Sequence, residues 1–184
     1  MPIPSPTSED CLSVDLYVPK NAAGRNLPVM VYLYGGAFVL GSNSQYDAPS
    51  EIARSGDVIV AVPNYRVGPF GFLALPELAA QNGGVSGTFG IADQQYALRW
   101  VRDNIGAFGG DPRDVTLFGE SAGGMSVCLQ VAAPGSRGLF RRAIAESGGC
   151  VGSPLVPPSQ AEGVRRSEAY AAQVGCGDPR MRLA

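Results

Sequence analysis

Ser121 stands at the centre of Gly119-Glu120-Ser121-Ala122-Gly123, a Gly-x-Ser-x-Gly pentapeptide. Placed between a strand and a helix, this spacing puts a serine hydroxyl at the tip of a strained turn, where Oγ can attack a carbonyl carbon. Such an attack drives negative charge onto the carbonyl oxygen, which must then meet preorganised N–H donors. The serine must also lose its proton, normally to a histidine. The 184-residue chain contains no histidine. The sequence therefore offers a nucleophile without its usual base.

The pentapeptide alone is a weak signal in a chain with 25 glycines. Its surroundings strengthen it. Val115 to Phe118 form a short apolar run before it, and "AGGMSVCLQVAAPG" follows with a helical pattern that stops at Pro134. The amide of Ala122, next after the nucleophile, is then one oxyanion donor, at a helix N-terminus whose dipole favours an anion. The other donors are expected in a Gly-rich turn after an earlier buried strand. "VYLYGGAF" supplies one, and it nominates the amides of Gly36 and Ala37.

The elements that must position these groups alternate. "CLSVDLYVP" places Leu12, Val14, Leu16 and Val18 on one face, as in a half-exposed strand near a sheet edge. "LPVMVYLYGG" and "DVIVAVPNYR" are continuous apolar runs of the kind found in central strands covered on both faces, and "VTLFG" and "RAIAESGG" read the same way. Between them lie the helical patterns "PSEIARSG" and "ADQQYALRWVRDNIGAFGG", the second with Ile91, Leu98, Val101, Ile105 and Phe108 at helical spacing and a stop at Gly109-Gly110. "SQAEGVRRSEAYAAQVGCG" opens with Ser159 and Glu162 in capping-box spacing. This order predicts an α/β fold on a mostly parallel sheet. Val67 to Gly90 and Gly148 to Pro158 read as loops, the first long enough to suggest function.

With 45% apolar and 16% charged residues the composition is that of a globular domain. A net charge of −2 carries no basic footprint for nucleic acid. No apolar stretch is long enough to span a bilayer, and "MPIPSPTSED" lacks the features of a signal peptide. Neither GxGxxG nor GxxxxGK[ST] occurs, which argues against a nucleotide site. Cys11, Cys128, Cys150 and Cys176 include no CxxC pair; without histidine they suggest no zinc site. No metal and no other cofactor is expected. Internal disulfides are not favoured either. Cys128 falls on the apolar face of its helical pattern and reads as a small buried thiol.

The ordered blocks "SEDCL", "LPVMVYLYGGAF", "NYRVGPFGFL", "GIADQQYALRWVRDNIGAFGGDP", "VTLFGESAGG" and "PGSRGLFRRAIAESG" resemble the type-B carboxylesterases. That group contains cholinesterases, liver-type carboxylesterases and bacterial para-nitrobenzyl esterases, and the likeness leans to the bacterial branch. It runs from about Ser8 to Cys176. The resemblance implies an α/β-hydrolase fold, Ser121 as nucleophile, and Gly36, Ala37 and Ala122 as the oxyanion hole. It also implies that Glu120 is a buried acid shaping the acyl pocket, and that Arg66 and Asp93 form a structural ion pair. Trp100 is expected in the core. Two departures, Tyr34 where many members have histidine and Thr88 where asparagine is usual, leave the chemistry untouched.

The same resemblance implies that residues 1–184 are the N-terminal portion of one α/β-hydrolase domain. The triad acid and histidine then lie outside the chain. So do the disulfide partners of Cys11 and Cys176, which suggest an exported protein. The expected activity is hydrolysis of a small carboxylic ester through an acyl-enzyme on Ser121, with the 184 residues alone inactive. The alternative is a non-catalytic α/β-hydrolase-like binding or adhesion module. Oligomeric state is not readable from the sequence.

Overall fold

A computed structural model describes residues 8–46, 48–153, 155–156 and 159–178. In chain order the elements are β1 (Val14–Tyr17), β2 (Leu27–Leu33), α1 (Ala48–Arg54), β3 (Ile59–Pro63), α2 (Gly68–Phe72), α3 (Pro76–Gln81), α4 (Phe89–Asn104), β4 (Gly110–Glu120), α5 (Ala122–Ala132), β5 (Arg142–Glu146) and α6 (Gln160–Gln173). The strands form one sheet in the order β1-β3-β2-β4-β5. Only the β1–β3 pairing is antiparallel; β3, β2, β4 and β5 run parallel.

The alternation of strand and helix dictates this layout, because parallel neighbours need a crossover that packs back on the sheet. On one face, Val29, Val31 and Leu33 of β2, Ile59 and Ala61 of β3, and Val115 and Leu117 of β4 meet Leu98 and Val101 of α4 and Val127 of α5. On the other face, Val60, Val62 and Phe118 pack with Ala53 of α1. The predicted periodicity holds at Leu98 and Val101 of α4 and at Ile105 in the 3-10 turn that follows it, all fully buried, and that turn ends at a left-handed Gly109 with φ 85°. Phe108 instead stays exposed beside Trp100, which is half-buried against the core as expected.

Three expectations need correction. First, β5 is not a covered central strand. All five of its residues are exposed, with Ile144 at 43% exposure, and among the described residues β4 is its sole strand partner. An apolar run records the capacity to be covered, not the presence of a cover. Second, Val67 to Gly90 is not one loop but carries α2 and α3. Pro69 and Pro76 start these helices by presetting φ where no amide donor is needed. Third, Cys128 is not a free thiol: it forms a disulfide with Cys150, which ties α5 to the segment after β5. Ser159 does cap α6, accepting the Glu162 amide at 3.2 Å. The prolines of the second expected loop, Pro154, Pro157 and Pro158, lie outside the described residues.

Connectivity also fixes where a site can form. From β2 the chain crosses to β3 on one side, then returns past β2 to enter β4 on the other. The strand order reverses between β2 and β4, and the crevice at the carboxyl ends of such strands is where open α/β sheets bind ligands. Leu33 pairs with Gly119 across that seam, so the turns leaving β2 and β4 emerge side by side.

Candidate active site

β4 ends at Glu120 and α5 begins at Ala122, leaving one residue for the reversal. That residue is Ser121, at φ 56° and ψ −120°. A side chain in this region costs roughly 1–3 kcal/mol, so the surroundings must hold it there. They do so from two sides. The Ser121 amide donates to the Glu146 carbonyl at the end of β5 (2.9 Å), and the Ser121 carbonyl accepts the Met125 amide of α5 (3.0 Å). Although Ser121 occupies the cap position of α5, its hydroxyl makes no capping bond. The Oγ is thus left available at the turn. Gly123 permits the geometry, since a Cβ there would sit 1.9 Å from the Leu33 carbonyl oxygen.

The turn leaving β2 lies against this elbow. A Cβ built on Gly35 would meet the Ser121 Cβ at 3.1 Å and Glu120 Oε2 at 3.1 Å. Gly36 has φ 115°, and Ala37 and Phe38 follow at 55° and 64°. The Gly36 carbonyl accepts the Val39 and Leu40 amides, and the Phe38 carbonyl accepts the Gly68 amide (2.6 Å). Among the described residues the amides of Gly36, Ala37 and Ala122 donate no hydrogen bond to the protein. Ser147, just past β5, is at φ 50°. Four of the five described non-glycine residues with positive φ, Ala37, Phe38, Ser121 and Ser147, therefore follow the carboxyl ends of β2, β4 and β5. Concentrated strain of this kind marks functional sites.

Beneath the β2 turn, two tyrosines stack face to face with centroids 4.3 Å apart. The Tyr34 hydroxyl donates to the Tyr65 carbonyl (2.9 Å), and the Tyr65 hydroxyl donates to the Tyr34 carbonyl (2.5 Å). Burial pushes the Tyr34 hydroxyl up to about 12 and drives the Tyr65 hydroxyl higher still, so both are protonated donors at neutral pH. Burial also raises Tyr32 to about 12, with Tyr46, Glu120 and Glu146 adding to the effect.

Arg66 and Asp93 make the expected ion pair, through Arg66 Nε to Oδ2 and an Nη to Oδ1, both 2.8 Å. The hydrogen bonds that Arg66 donates to Asp93 raise the Arg66 pKa further. The pair joins the end of β3 to α4 and does not reach Ser121. Glu120 departs from expectation: it is exposed, not buried, because it caps the last pair of the open β4–β5 edge, opposite Glu146. The described residues hold no cluster of metal-ligating side chains. No described helix is long and apolar enough to cross a membrane.

Two contributors escaped the sequence reading. The Glu146 carbonyl anchors Ser121, and Gly148 closes against the elbow, where a Cβ would lie 2.4 Å from the Ser121 carbonyl oxygen. The one available signal was the Ser-Gly-Gly after the β5 run, which resembles the Gly-Gly after β2.

Residues 2–183 match the model of the carboxylesterase family. The chain is 54% identical over 143 residues to the para-nitrobenzyl esterase of Bacillus subtilis (strain 168), covering 77% of this chain and 28% of that protein. It is 49% identical over 150 residues to human bile salt-activated lipase, covering 76% of this chain and 19% of that one. A solved Geobacillus stearothermophilus carboxylesterase superposes over 100% of this chain and 39% of its own, with a TM-score of 0.87 and 41% identity. A solved PNB esterase covers 95% of this chain and 36% of its own, with a TM-score of 0.81 and 46% identity. The chain thus spans less than a third of the length of these two curated relatives. By its sequence, its sheet and its helices, this chain belongs to the carboxylesterase family and has the α/β-hydrolase fold.

Proposed function

We propose that this chain carries the nucleophile and the oxyanion hole of a serine carboxylic-ester hydrolase, as the N-terminal portion of a single α/β-hydrolase domain. The observation that carries the reading is Ser121 at φ 56° with the Gly35–Gly36 turn packed against it. No residue of the 184 is a histidine. In this reading the general base, and the acid that orients it, come from polypeptide outside this sequence.

In the reaction, Ser121 Oγ forms a bond to the ester carbonyl carbon while its proton passes to that base. The carbonyl π electrons move onto oxygen, where the amides of Gly36, Ala37 and Ala122 receive the charge. The oxyanion collapses, the bond to the alcohol oxygen breaks, and the alcohol leaves with the proton from the base. Water, deprotonated by the same base, attacks the acyl-serine. A second oxyanion collapses to release the carboxylic acid and return the proton to Ser121. Glu120, close to Ser121 but solvated, contributes a screened negative field at the edge of the site. Without a base the 184 residues retain at most about 10³–10⁴-fold acceleration over water from the hole alone.

The test is hydrolysis of para-nitrophenyl acetate by the complete polypeptide that contains this chain. Wild type should turn over, and Ser121→Ala should lower kcat/KM by about 10⁴-fold or more. The missing histidine also favours a second reading, a non-catalytic binding module. Complete absence of wild-type turnover would select it.

A further inference from the structure

Resting on the esterase reading above, we infer that Tyr65 is a positioning residue: its buried hydroxyl sets the oxyanion hole by fixing the peptide between Tyr34 and Gly35. The Tyr34 carbonyl lies where the two halves of the proposed hole cross. From below it accepts the Tyr65 hydroxyl at 2.5 Å. From the α5 side it faces Gly123, where a Cβ would be 2.9 Å from the same oxygen. That oxygen belongs to the peptide plane that begins the Gly35–Gly36 turn, and Gly123 follows directly on Ala122. One carbonyl therefore relates the amides of Gly36 and Ala37 to the amide of Ala122.

The clamp is reciprocal, which is why it resists rotation. The Tyr34 hydroxyl donates to the Tyr65 carbonyl (2.9 Å) and accepts the Tyr65 amide (3.1 Å). Each ring thus grips the main chain of the other residue, across a stack tilted by only 14°. Tyr34 and Tyr65 are 1% and 2% exposed, so water cannot substitute for either hydroxyl. Gly41 closes the remaining side, because a Cβ there would sit 2.6 Å from the Tyr34 ring. The run through Gly36, Ala37 and Phe38 is held at positive φ throughout, so it is poised to relax once its anchor is lost. Relaxation of the Tyr34–Gly35 plane would tilt the next amides away from the oxygen they must meet. Misplacement near 1 Å can cost on the order of 100-fold in rate.

Tyr65→Phe keeps the ring and the stack while removing the one donor. In the complete polypeptide it should lower kcat for para-nitrophenyl acetate by about 10–100-fold with KM changed less than about 2-fold. Affinity for an aryl trifluoromethyl ketone, whose carbonyl carbon bonds Ser121 Oγ and leaves an oxyanion in the hole, should fall by the same factor. The conformational half has its own readout: the amide NMR resonances of Gly36 and Ala37 should shift, while those of the distant Ser159 cap stay fixed. An unchanged kcat and ketone affinity in Tyr65→Phe, with wild type active, overturns the positioning role alone. Parallel losses in kcat, KM and thermal stability would make Tyr65 a structural residue and also overturn it. An inactive wild type that forms no ketone adduct removes the esterase reading and this role together.

Discussion

The amide of Ser121 donates to the carbonyl of Glu146 at 2.9 Å, although the two residues are 25 positions apart in sequence. The turn that presents the hydroxyl is thereby anchored to the neighbouring strand, while the helix that follows takes the Ser121 carbonyl. The side chain projects from a backbone fixed on both sides. Its strained φ of 56° is a consequence of that double anchor.

Releasing the strain should stabilise the protein. Ser121→Gly is expected to raise unfolding free energy by about 1 kcal/mol in urea melts, the relief of a left-handed side chain less the entropy of glycine. Ser121→Ala keeps the strain and should leave stability within about 0.5 kcal/mol. A loss of stability in Ser121→Gly would show that the hydroxyl, and not the backbone, holds the turn.

Close approach of α5 to β2 is the next requirement. A methyl on Gly123 would overlap the Leu33 carbonyl oxygen at 1.9 Å, so Gly123→Ala should cost about 3 kcal/mol or prevent soluble expression. Gly106, with open space around its Cβ position, is the control and should tolerate alanine. Equal melting temperatures for the two variants would contradict the packing described.

The Cys128–Cys150 bridge closes a loop of 22 residues around β5. The chain-entropy model assigns such a loop about 3 kcal/mol. Cys128→Ser with Cys150→Ser should lower the denaturation midpoint accordingly, and peptide mapping without reductant should recover the cross-linked pair. Quantitative thiol labelling of both residues in the native protein would rule the bridge out.

Three tyrosines, Tyr34 and Tyr65 buried and Tyr32 partly buried, give the stability a definite pH dependence. Tyr32, Tyr34 and Tyr65 have folded values raised above 10, chiefly by burial. In the unfolded chain they lose protons near 10, so the folded state binds more protons above that point. The contribution of these three groups to stability should be constant below pH 10 and fall as pH rises from 10 towards 12. Urea midpoints measured at pH 9 and pH 11 check this. An equal or higher midpoint at pH 11 would contradict it.

Much of the site was legible because its residues are local signals. The Gly-x-Ser-x-Gly spacing located the β4–α5 turn, and Gly35-Gly36 after an apolar run located the turn from β2. Their meeting was not legible, since it depends on Leu33 pairing with Gly119. The exposure of Glu120 was missed for a related reason. Periodicity describes one segment, whereas burial depends on what covers it. The bridge between Cys128 and Cys150 needed the return of the chain past α5, and the clamp of Tyr34 by Tyr65 needed the β2–β3 neighbourhood. The helix starts at Pro69 and Pro76 were not told apart from loop signals, because proline punctuates turns as well as opening helices.

The central claim is that Ser121 is the nucleophile, and the most direct measurement is peptide mass spectrometry after treating the complete polypeptide with a fluorophosphonate. The account predicts one phosphonyl adduct, on the peptide containing Ser121, abolished in Ser121→Ala and blocked by prior incubation with an aryl ester. An adduct on another serine, or an unmodified Ser121 in protein that hydrolyses esters, would contradict it.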